Sequence, residues 1–136
     1  MSYHIEYEDI TEDLVVIKIN QTYHENMSAR ELYEYTRGFW RRRIESVSTS
    51  KYALAVVYGE VKEVYKIDKW IHASEADNIF RKYDPARHSN RIAFCGDVAD
   101  DAVRQKYIGR SVDHLYKFGE ASPVKMFKGH PCSYKM

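Results

Sequence analysis

The chain has 136 residues, 44% apolar and 30% charged, with a formal net charge of +1. These figures suit one folded domain built on one sizeable core, spanning residues 1–136, and they exclude a disordered chain and a strongly basic, histone-like binder. No apolar run approaches the roughly 18 residues of a membrane span, so no membrane partner is expected. Cys95 and Cys132 stand far apart without C-x-x-C spacing, and the start MSYHIEYEDI carries no secretory signal, which points to a reducing cytoplasm. The histidines follow neither H-x-x-x-H nor H-E-x-x-H, so neither a metal site nor any other cofactor is expected.

In chain order, LVVIKIN at 14–20 reads as a strand with Val15, Ile17 and Ile19 pointing inward. MSARELYEYTRGFWRRR follows as a helix. Ser28 with Glu31 forms a capping box at its start, and Met27 with Leu32 is placed for a hydrophobic staple. Leu32, Thr36, Phe39 and Trp40 share a helical face that would pack on a sheet.

YALAVVYGEVKEVYKIDKW at 52–70 reads as a hairpin closed by a type II′ turn at Gly59-Glu60. That turn pairs Tyr58 with Val61, Val56 with Glu63, Leu54 with Tyr65 and Tyr52 with Ile67 on one large apolar face. Trp70 falls on the smaller, more polar face. Glu63 is then a carboxylate on a core face, which requires a donor, water or a ligand, unless a β-bulge turns it outward.

SEADNIFRKY at 74–83 reads as a short helix stopping before Asp84-Pro85, and RIAFCGDV at 91–98 as a strand. Gly109 reads as a helix C-cap and Ser111 as the N-cap of a further short helix. Residues 124–127 read as a closing strand. The order of elements predicts an α+β fold, a small mixed β pseudo-barrel of five to six strands with two to four flanking helices.

The combination of ELYEYTRGFWRRR, KYALAVVYGEVKEVYKIDKW and YIGRSVDHLYKFGEASPVKMF resembles a group of small bacterial and phage domains with the PUA-like barrel of the PUA, ASCH, EVE, YTH and SRA families. The resemblance runs from Leu14 to Phe127. It implies a pseudo-barrel that presents a cleft to RNA or to DNA carrying a modified base.

Several residue groups fit such a ligand. Arg41, Arg42 and Arg43, with Arg37, form a basic cluster suited to phosphate, which Lys62, Lys66, Lys69 and Arg110 would extend. The same cluster also complements a helix dipole. Trp40, Trp70, Tyr58 and Tyr23 offer rings for stacking or for a core. Asn20 and Thr22 offer polar groups to a base edge or to a turn, and Glu63 an acceptor for base amino groups. The expected function is therefore non-enzymatic nucleic-acid binding. Two alternatives stand beside it: a protein-interaction module, to which tyrosine, tryptophan and arginine are equally suited, and a metal-dependent nuclease using the E-x-K triplet Glu60-Val61-Lys62 with Glu45 or Asp68.

Overall fold

The computed structural model describes residues 2–130. Cys132 lies outside them. Five strands form one sheet in the order β4-β3-β2-β1-β5: β1 Leu14–Lys18, β2 Tyr52–Val57, β3 Glu60–His72, β4 Ile92–Val98 and β5 Val124–Phe127. β1 and β2 run parallel at its centre, with Leu14 opposite Tyr52 and Lys18 opposite Val56, while every other neighbouring pair is antiparallel. Four helices accompany the sheet: α1 Ala29–Arg37, α2 Ile44–Val47, α3 Pro85–His88 and α4 Asp101–Tyr107.

The central strands explain themselves. LVVI in β1 and ALAV in β2 are continuous apolar runs with every residue 0% exposed, as expected of strands covered on both faces. The inward set of β1 is thus Leu14 and Val16 as well as Val15, Ile17 and Ile19. On one face Leu14, Val16, Leu54, Val56, Val61 and Val64 pack with Ile5, Tyr107 and Leu115. On the other, Val15, Ile17, Ala53, Ala55, Tyr65 and Phe94 pack with Leu32 and Tyr33 of α1. Burying such side chains contributes about 1.5–3 kcal/mol each.

The sheet is open, with β4 and β5 at its two edges, which corrects the expected pseudo-barrel. Closure would require a ladder between those two strands, and among the described residues none joins them. The α+β class and the order of the strands hold, but the short helix between β3 and β4 is α3, which starts at Pro85, just past the point where the predicted one stops.

The hairpin also departs from its expected register. Its loop is Tyr58-Gly59, one residue earlier than the type II′ reading, with φ of 48° and 84° at the two positions. Positive φ at both central residues is the mark of a type I′ turn, whose twist matches that of the flanking strands. Two further shifts follow. Val56 pairs with Val61 but Ala55 with Glu63, so Lys62 is an extra, bulged residue. Farther along β3, Asp68 is bulged between Ile67 and Lys69. The first bulge puts Val61 and Val64, three apart, into one core, and Tyr65 and Ile67 into the other. Glu63 therefore leaves the large apolar face.

The helix starting at the capping box is shorter than its sequence pattern suggests. The Glu31 backbone N–H donates to Ser28 Oγ at 3.1 Å, but α1 ends at Arg37, and Phe39, Trp40 and Arg41–Arg43 lie beyond it. Gly38 stands where β4 passes so closely that a Cβ would come within 2.7 Å of the Ala93 Cβ. The helix predicted over 74–83 is instead a single 3₁₀ turn at Ala73–Glu75 followed by irregular chain, because α1 side chains seize its backbone donors, as described below.

Candidate functional site

β1 ends at Lys18, and the chain leaving it, Ile19 to Thr22, forms one wall of a cleft of about 480 Å³. Lys18, Trp40, Arg81, Ala121 and Pro123 supply the rest of the wall. The cleft thus lies at the carboxyl end of a strand of the parallel pair, where α/β sheets commonly receive ligands, and its size falls within the roughly 300–1,000 Å³ usual for small-ligand sites.

Each wall is positioned by identifiable contacts. Asn20 Oδ1 accepts from the Tyr58 backbone N–H at 2.7 Å, tying the end of β1 to the hairpin turn. The Thr22 hydroxyl donates to the Ile19 carbonyl at 3.3 Å, so both residues shape the turn as well as line the cleft. Trp40 is held by its Nε1–H, which donates to the Thr36 carbonyl at 2.8 Å, leaving the ring to line the cavity.

Arg81 is the least expected member. It is half-buried, with its guanidinium 5.2 Å from the ring centroid of Phe39, 5.5 Å from Tyr35 and 5.8 Å from Trp40. Its Nη1 donates to the Gly38 carbonyl at 2.7 Å. Among the described residues no carboxylate pairs with it. Burial holds its pKa below the usual arginine value, and Arg91 and Arg87 push the same way against Tyr35. A guanidinium stays protonated nonetheless, so the cleft contains a half-buried cation without a carboxylate partner among the described residues and with most of its five donors uncommitted.

The backbone carrying Arg81 is fixed by Glu34 of α1. This carboxylate is fully buried and accepts from the backbone N–H groups of Ile79 at 2.9 Å, Phe80 at 2.7 Å and Arg81 at 2.9 Å, and from Arg30 Nε at 2.7 Å. Burial alone would raise its pKa, but these donors outweigh it and hold the group at about 2. Arg37, also buried, grips the same loop through Asp77 at 3.2 Å and Asn78 at 3.0 Å. A helix pins an irregular loop, and the loop delivers Arg81.

Comparison of the chain with protein-family models, curated proteins and solved structures returned no match. The functional reading therefore stands on this geometry.

Asn20, Thr22 and Trp40 are the predicted site residues that meet in the cleft. Arg41 is exposed, Arg42 donates to the Val124 carbonyl at 2.7 Å beside the cleft residue Pro123, and exposed Arg43 pairs with Glu45 at 3.3 Å. Tyr23 packs against the core, and the Trp70 Nε1–H donates to Ser50 Oγ at 3.2 Å while its ring meets Phe94 edge-on. Tyr58 is 81% exposed at the hairpin tip.

Two predicted ligand contacts are already engaged within the protein. Glu63 forms a two-point ion pair with Arg104 of α4, Nε to Oε1 at 2.8 Å and Nη2 to Oε2 at 3.2 Å. The acceptor expected for a base is thus occupied by a cation that covers the edge of β3. Arg110 is buried and spends its donors on the carbonyls of Ser2, Lys106 and His4 and on Asp9, at 2.6–3.0 Å. It clamps the N-terminal segment and does not extend the basic cluster. Glu60 and Lys62 pair with each other at 2.9 Å, and among the described residues no group of three or more His, Cys, Asp or Glu is placed to hold a metal ion. No helix among them is long and apolar enough to cross a membrane.

Lys18, Glu34, Arg81 and Arg104 carry roles that sequence reasoning did not assign. Glu34 stands four residues after Arg30 and three before Arg37, a spacing that an exposed helical charge ladder shares. Lys18 closing an apolar strand was the one available signal, since a cation at the end of a buried strand sits where ligands enter.

Proposed function

We propose that this chain is a non-enzymatic nucleic-acid-binding domain of the PUA-like kind, which takes a nucleotide of RNA, or of DNA carrying a modified base, into the cleft beside β1. The observation that supports this reading is Arg81: a half-buried guanidinium beside Trp40, without an acidic partner among the described residues, facing a cavity that Lys18 also lines. Phosphate suits both cations, and a base laid against Trp40 would meet the polar groups of Asn20 and Thr22. The Asn20 amide N–H groups remain free to donate, because its Oδ1 is the atom engaged by Tyr58.

The test is a binding screen against single- and double-stranded RNA and DNA, with and without modified bases, at 50 and 200 mM salt (about the range over which phosphate-driven binding changes most). Affinity is expected to fall steeply with salt, and Arg81→Ala to weaken it at least about tenfold while shifting stability by less than about 1 kcal/mol. Nucleic-acid binding indifferent to salt and to Arg81 would overturn the phosphate reading of the cleft.

A further inference from the structure

A second cavity, of about 340 Å³, adjoins the cleft and shares Lys18 and Asn20 with it. Its chemistry differs. Asp113 and Glu120 line it together with Lys117 and Lys18, and Glu120 is paired with Lys125 at 2.6 Å, so its charges are mixed where the cleft holds only cations. Of its aromatic lining residues Tyr116 is partly buried, whereas two rings at its mouth are bare. Phe118, which lines it, is fully exposed, and Tyr58, next to the lining residue Gly59, is 81% exposed.

Tyr58 also adopts the left-handed conformation, φ 48°, in a turn where Asn or Gly would be relaxed. A bulky residue held in that region carries strain, and such outliers gather at functional positions. The turn therefore presents a strained ring to solvent at the mouth of a cavity. Arg81 on one side, open rings on the other and Lys18 between them match the alternation of phosphate and base along a strand.

We infer that the ligand is a single strand spanning both cavities, with one phosphate over Arg81 and Lys18 and the next base against Phe118 and Tyr58. A duplex keeps its base faces inside the stack and offers none to these rings. Asp113, which forms no ion pair among the described residues, is then available as an acceptor for base amino groups. The inference rests on the nucleotide reading of the cleft.

Titrations of the intact chain with nucleoside 5′-monophosphates, with single-stranded RNA and DNA hexanucleotides of mixed sequence, and with the matching duplexes test it. The hexanucleotides are expected to bind at least about tenfold more tightly than the monophosphates, and the duplexes more weakly, with the RNA and DNA arms identifying the sugar. Phe118→Ala should lower hexanucleotide affinity roughly 5- to 100-fold and leave monophosphate affinity unchanged. Tyr58→Asn relaxes the turn, so it should raise Tm while weakening hexanucleotide binding, which separates recognition from folding. Duplexes binding as tightly as single strands, or hexanucleotides binding no better than monophosphates, would overturn the single-strand inference and leave the cleft reading intact. No binding of any nucleotide at either salt concentration would overturn both.

Discussion

Arg110 is buried and Arg81 half-buried at a cleft wall, and their surroundings could hardly differ more. Arg110 meets three carbonyls and the Asp9 carboxylate, so its charge and its fork of donors are answered inside the protein. Arg81 meets one carbonyl and three aromatic rings. A saturated guanidinium is a structural clamp. An unsaturated one at a cleft wall keeps donors open for an anion, which is the role proposed for Arg81.

The contrast is sharpest in stability. Arg110→Ala should destabilise the fold by about 3–5 kcal/mol in denaturant melts, since it strips buried carbonyls and Asp9 of their partner. A loss as small as that expected for Arg81→Ala would break the comparison. Glu34→Gln ranks next, at about 2–3 kcal/mol, because the amide nitrogen cannot accept from the loop's backbone N–H groups. It should weaken nucleic-acid binding too, as Arg81 loses its support. The same carboxylate shapes the acid response. Its folded pKa of about 2 lies below the ordinary 4.5, so its stabilising contribution is complete above pH 4.5 and lost as pH falls through 2. Acid titration of stability should therefore be shallower in Glu34→Gln than in the parent between those limits.

Glu63→Gln tests a pair between the two extremes. The side chains of Glu63 and Arg104 are 15% and 36% exposed, so the change should cost about 1–2 kcal/mol and leave binding unaltered. Altered ligand discrimination would return Glu63 to the site. Arg43→Ala should be the mildest, below about 0.5 kcal/mol by thermal melt, because both partners of its ion pair are exposed.

The hairpin shows where sequence reasoning loses its grip. Alternation along YALAVV and EVKEVY identifies two strands, but the turn type and one bulge decide which face each side chain joins, and a one-residue slip exchanges the faces. The local signals of a type II′ loop at Gly59-Glu60 and a type I′ loop at Tyr58-Gly59 are nearly the same, since one glycine serves both. Tertiary pairing chose the second by accepting a left-handed tyrosine.

What the sequence by itself determined is what short-range physics controls: the capping box at Ser28, the apolar runs of β1 and β2, the strands at 92–98 and 124–127, and the order of the strands. Each follows from side-chain period, cap chemistry or turn residues within a few positions of one another. Only the tertiary structure decided the open sheet, the bulge at Lys62, and which charges face inward. Arg37, Arg104 and Arg110 read alike with Arg81 in one dimension. Whether a guanidinium becomes a clamp, a cover or an open cation depends on acceptors 40 to 108 positions away, as with Asp77 for Arg37 and Ser2 for Arg110, and no local pattern encodes a partner at that distance.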